Sequence, residues 1–140
     1  LNNDALAEQL VDLGLRAETW LAIALVPLVE VAWADREIAS AERKAIVKAA
    51  VEDGIAAGSE ARALLDSWLM ARPNRRLREA WKAYIAAVWQ VLGDTEREIL
   101  RQETLERARS VASAAGGILG LGSKISDVEE AVLTDLAAAL

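Results

Sequence analysis

From Trp20 to Ile46 the chain reads WLAIALVPLVEVAWADREIASAERKAI, and the first part of this stretch decides the fold. Trp20 to Ala34 is apolar throughout except at Pro27 and Glu30, and it is shorter than the roughly 20 apolar residues that a bilayer span takes. It reads as a helix buried on every side. An interior proline removes a hydrogen bond and crowds the preceding turn, so Pro27 either kinks one helix over about Ala17 to Ala34 or marks the first turn of a new one. After Ala34 the pattern changes to the turn residues Asp35, Arg36 and Glu37. Ser40 then opens another helix, with Glu42 in the first turn, where a carboxylate favours the helix dipole. A helix buried all round needs other elements packed about it. No segment alternates with period 2 while helical periodicity recurs, so the expected class is all-α.

Working outward, Leu6, Leu10 and Leu13 give a short first helix. The helix opened by Ser40 is expected to run to about Ala57 and stop at Gly58. Ser59 caps the next, which carries Leu64, Leu65, Trp68 and Leu69 and ends before Pro73. Asn74 then caps a helix reaching about Leu92, with Leu77, Trp81, Ile85, Val88, Trp89 and Leu92 on one stripe. Another runs from near Thr95, with Glu98 placed for a capping box, to Ala115, and Ser126 with Glu129 forms an S-x-x-E box opening the last. The expectation is a single domain over residues 1–140, a bundle of about seven helices. In a chain without phenylalanine the five tryptophans supply core volume, and Trp33, Trp68, Trp81 and Trp89 are expected to be largely buried.

Composition excludes whole classes of chemistry. The chain has no cysteine and no histidine, which removes disulfides, Cys/His zinc sites and histidine-based nucleophilic machinery. A net charge of −6 argues against a nucleic-acid binder, and no signal peptide or membrane span is legible, so the cytoplasm is the expected compartment. A chain opening on Leu1 reads as a trimmed piece of a longer one. The charge is unevenly spread: Arg72, Arg75, Arg76, Arg78 and Lys82 cluster around one interhelical turn. Arg75 and Arg76 at a helix start oppose the dipole, so something acidic is expected to face them. Either the cluster is a solvated or internally bridged face, or it docks an acidic protein or membrane headgroups.

Gly117 to Lys124 spells G-x-x-x-x-G-S-K, close to a phosphate-binding loop. The segment before it is helical, the serine and lysine are in reversed order, and the next helix begins only near Ser126, so no nucleotide is expected. Gly116 and Gly117 instead end a helix, and Ile118, Leu119 and Leu121 form an apolar connection tucked against the core.

Two segments match each other across the chain. DREIASAE (Asp35–Glu42) and GSKISDVE (Gly122–Glu129) both place isoleucine three residues after a turn residue and glutamate four further on. The spacing also fits the second half of an EF-hand loop, but Val31 and Trp33 would fall at that loop's first ligand positions and cannot ligate calcium. With these residues in view, the chain resembles the TerB-like family, helical domains named for a tellurite-resistance protein. LVEVAWADREIASAERKAI matches the family's A-D-G-x-I-x-x-x-E helix-turn-helix, and ASAAGGILGLGSKISDVEEAVL matches a glycine-rich second motif found in a subset.

That resemblance implies a non-catalytic helical domain of bacterial stress or tellurite-resistance type, in some relatives beside membrane anchors, whose paired acidic motifs bind a metal ion. Carried over, the ligand positions are Asp35, Glu42 and Glu129. Arg36 departs from the family's glycine, and if that position needs a positive φ the arginine is strained there. Without nitrogen or sulfur ligands, the expected ion is calcium or magnesium. The residues themselves leave open that the acidic turns only cap helices, in a metal-free interaction module. A carboxylate-dependent hydrolase needs a pair of acids in a cleft, and none stands out.

Overall fold

The computed structural model describes residues 17–118 and 125–140. Among them there is no strand: the elements are a 3₁₀ helix (Ala17–Leu25) and six α-helices, α1 (Val26–Ala32), α2 (Ser40–Glu52), α3 (Glu60–Met70), α4 (Arg76–Trp89), α5 (Asp94–Ile118) and α6 (Asp127–Ala138). The all-α expectation holds. The first expected helix, around Leu6 to Leu13, lies outside the described residues. No helix among the described residues is long and apolar enough to cross a membrane.

The apolar stretch is the axis of the fold. Pro27 lies in the first turn of α1, where its missing N–H matters least, and the chain before it winds as a 3₁₀ helix. Every residue of α1 except Glu30 is buried. α5 and α6 pack against α1 together with α4 and α2, while α3 covers the 3₁₀ helix. Trp81, Leu28, Ile46, Leu65, Leu77, Leu133 and Leu136 fill the space between these helices. Trp33 and Trp68 are buried and joined, the Trp33 indole N–H donating to the Trp68 carbonyl at 2.7 Å. Trp89 departs from the expectation: it is half-buried, with the Arg97 guanidinium 6.0 Å from its ring centroid. The side chain of Trp20 is outside the described set.

Several helix ends differ from the sequence expectation, for local reasons. α2 stops at Glu52, not near Ala57. Gly54 takes φ 84° there, its N–H donates to Val51, and the Ile55 N–H donates to the Ala50 carbonyl at 3.0 Å. This is a Schellman ending, sealed by the burial of Ile55. Ser59 caps α3 as expected, accepting from the Arg62 N–H at 3.2 Å. The Asn74 side chain accepts from the Arg76 N–H at 2.8 Å, although Arg75 is the residue bordering α4. α5 opens one turn residue earlier than expected: Glu96, not Glu98, reaches back, accepting from the Gly93 N–H at 3.0 Å. α5 also continues through Gly116 and Gly117 to Ile118, so those glycines do not end it at Ala115. The apolar connection expected at Leu119 and Leu121 lies outside the described residues.

Candidate functional site

The two matching acidic turns meet. α1 hands the chain to Asp35 and Arg36, and Arg36 stands at φ 70°, the described non-glycine residue with positive φ. Its side chain is exposed and has no hydrogen bond or ion pair among the described residues to repay the strain. Arg36→Gly is therefore expected to stabilise the protein, by up to about 1 kcal/mol after allowing for glycine's greater freedom in the unfolded chain. Chemical denaturation of the two proteins measures it.

At the start of α2 the Glu42 carboxylate accepts from the Ala39 N–H at 2.9 Å. At the start of α6 the Glu129 carboxylate accepts from the Ser126 N–H at 2.9 Å, and the Ser126 hydroxyl accepts from the Glu129 N–H at 3.2 Å. The second turn is a complete capping box; the first is half of one, because alanine has no side-chain acceptor. Ala39→Ser completes it, with an expected gain of about 1 kcal/mol in thermal or urea unfolding.

Across 91 residues of sequence, the Ser126 hydroxyl lies 3.3 Å from the Asp35 carboxylate as donor. The Glu42 and Glu129 side chains are close enough to interact electrostatically. They are only 4% and 5% exposed, and they are the buried charged residues of the described core. Two neighbouring buried carboxyl groups repel when both are charged, which favours a proton on one of them. Burial pushes Glu42 up from 4.5 to about 7; the Ala39 N–H opposes this, while the neighbouring Glu129 carboxyl and the charge of Asp35 reinforce it. Each glutamate uses one oxygen on its own helix start.

Of the three expected ligands, then, Glu42 and Glu129 are buried and interact electrostatically, and Asp35 meets the Ser126 hydroxyl that caps the helix of Glu129. Among the described residues no group of three or more Asp, Glu, His or Cys is arranged to hold a metal ion as it stands. The pair is complete, and the third carboxylate is offset. The sequence repeat singled out these positions as helix starts; it did not show that Glu42 and Glu129 would be buried.

The basic cluster divides in two. Arg78 is held inside the fold by Glu30 of α1, at 2.6 Å, and by Asp135 of α6, at 3.1 Å. Lys82 reaches the same Asp135 at 2.9 Å. Burial works against the Arg78 charge, and the two carboxylates outweigh it, holding its pKa above the usual value. The Lys82 hydrogen bond, aided by Arg78, holds Asp135 below the ordinary carboxylate range. These two bases tie α1, α4 and α6 together and are not free for docking. Arg72, Arg75 and Arg76 are exposed and have no side-chain partner among the described residues. The acid expected to face Arg75 and Arg76 is thus absent there; it faces Arg78 instead. The sequence signal for that network was Glu30, the single charge in an apolar run.

Comparisons with models of protein families, with curated proteins and with solved structures each return no match.

Proposed function

We propose that this chain is a non-catalytic TerB-like module of bacterial stress or tellurite-resistance type, acting in the cytoplasm, in which the two acidic helix starts hold one divalent cation. The observation that carries the reading is the burial of Glu42 beside Glu129. Two neighbouring ionised carboxylates out of water repel one another and are poorly solvated, so the pair needs either a proton or a cation. An all-oxygen donor set suits a hard ion, which favours calcium or magnesium. Glu42 and Glu129 would bind directly. Asp35, tethered by Ser126, would supply a further oxygen or a second-layer charge, and water would complete the set. Such an ion would lock two turns far apart in sequence and so couple α1, α2 and α6.

Titration calorimetry of chelator-treated protein with calcium and with magnesium tests this. One site, lost in Glu42→Gln and Glu129→Gln, is expected. If neither ion binds at concentrations up to about 1 mM, the weak end of biological calcium sites, the cation reading is wrong. The second reading, a metal-free module that docks an acidic protein or sits beside a membrane, is favoured by Arg72, Arg75 and Arg76, which have no side-chain partner among the described residues.

A further inference from the structure

We propose that the cleft between α1 and the start of α4 binds a phosphate monoester, gripped by Arg72 and Arg75. This site is separate from the Glu42–Glu129 pair and stands whether or not that pair holds an ion. The cleft has a volume of about 280 Å³ and is walled by Glu30 of α1 and Trp33 just after it, by Arg72, Pro73 and Arg75 of the α3–α4 connection, and by Arg78 and Glu79 of α4.

Its charge balance points to an anion. Of its two carboxylates, Glu30 is committed to Arg78, and Glu79 lies 3.6 Å from Lys82. The guanidiniums of Arg72 and Arg75 are left with no partner among the described residues. Arg75 also has helical backbone angles (φ −56°, ψ −30°) directly before α4, so its charge lies at the positive end of the helix dipole. Two like charges beside a helix amino end raise the energy of the empty cleft, and an anion between them lowers it. Several arginines elsewhere in the fold end on carbonyls or carboxylates: Arg43 on Leu69, Arg97 on Trp89, Arg107 on Ala49 and Asp53.

Size and shape narrow the class. The volume is just under the roughly 300 Å³ at which small-molecule pockets begin, so the cleft admits a compact polar group and not a helix or strand. A phosphate monoester carries about two negative charges near neutral pH and three terminal oxygens, which matches two guanidinium forks better than a carboxylate with one charge and two oxygens. Arg78, fixed by Glu30 and Asp135 through its Nε and Nη1, presents a rigid wall behind them.

The test is an NMR titration of the full chain with glycerol phosphate at constant ionic strength, read at the arginine side chains and the Trp33 indole. Saturable shifts at Arg72, Arg75 and Trp33 are expected. R72Q and R75Q should each weaken binding by at least about tenfold, the loss of one charge-assisted hydrogen bond, while R101Q, at an exposed and unpartnered arginine of α5, should bind like the parent. Both cleft variants alter exposed side chains, and an unchanged Trp33 indole signal before titration shows that the fold is kept. Vesicles containing phosphatidic acid separate the two sources of the group: sedimentation with them that R72Q/R75Q abolishes places the phosphate on a lipid, and its absence alongside glycerol phosphate binding places it on a soluble ester. Absence of saturation, unchanged binding by R72Q/R75Q, or tighter binding of succinate than of glycerol phosphate overturns the proposal.

Discussion

Glu42→Gln is expected to stabilise the metal-free protein at about pH 8 by as much as about 3 kcal/mol and to leave its stability near pH 4 little changed. Folded Glu42 holds its proton up to about 7, against an ordinary value of 4.5. Between those values the native state binds more protons than the unfolded chain, so stability falls as pH rises through the window. Below it Glu42 is protonated in both states and its burial costs little; above it the full penalty of a buried Glu42 charge is present. Glutamine cannot ionise. Its carbonyl keeps the contact with the Ala39 N–H, and its amide carries no charge to repel Glu129. Urea unfolding at a series of pH values, in chelator, should give two curves that coincide in acid and diverge towards neutrality. Curves that stay parallel from acid to alkaline pH would show that Glu42 ionises as an ordinary surface carboxylate.

The reach of sequence reasoning is clearest at these same residues. The x-x-x-I-x-x-x-E repeat shows two equivalent helix starts, and equivalent helix starts in a small bundle pack as a pair, which is why Asp35 and Ser126 meet. The burial of α1 is equally legible, because fifteen nearly unbroken apolar residues have nowhere else to go. Ends were harder. Gly54 and Gly58 both have φ 84°, and either could stop α2; only the burial of Ile55, a tertiary fact, decides for Gly54. The choice of Glu96 over Glu98 turns on where the chain leaves α4, which periodicity does not record. Arg78 and Arg75 look alike in sequence, three residues apart near one turn. Their different fates follow from Glu30 and Asp135, which reach Arg78 from helices 48 and 57 residues away.

Calcium or magnesium at about 100 times its dissociation constant is expected to add about 2.7 kcal/mol to the stability of the parent protein, if the ion binds the folded state alone. Glu129→Gln should abolish most of that gain. A variant that merely damaged the fold would lose the response too, and the metal-free baseline separates the two cases. Glutamine at 129 can still accept from the Ser126 N–H, and it removes the negative charge beside Glu42, so the metal-free variant should be at least as stable as the parent at about pH 8. An ion would compete with the proton on Glu42, so the ion-dependent gain should shrink as pH falls below about 7. Thermal unfolding of both proteins with chelator, calcium and magnesium, at two pH values, reads all three effects. A parent midpoint unmoved by either ion, or a Glu129→Gln midpoint that rises as far as the parent's, would leave the proton as the only guest of the pair, and the two acidic turns would then be helix caps pressed together at the core.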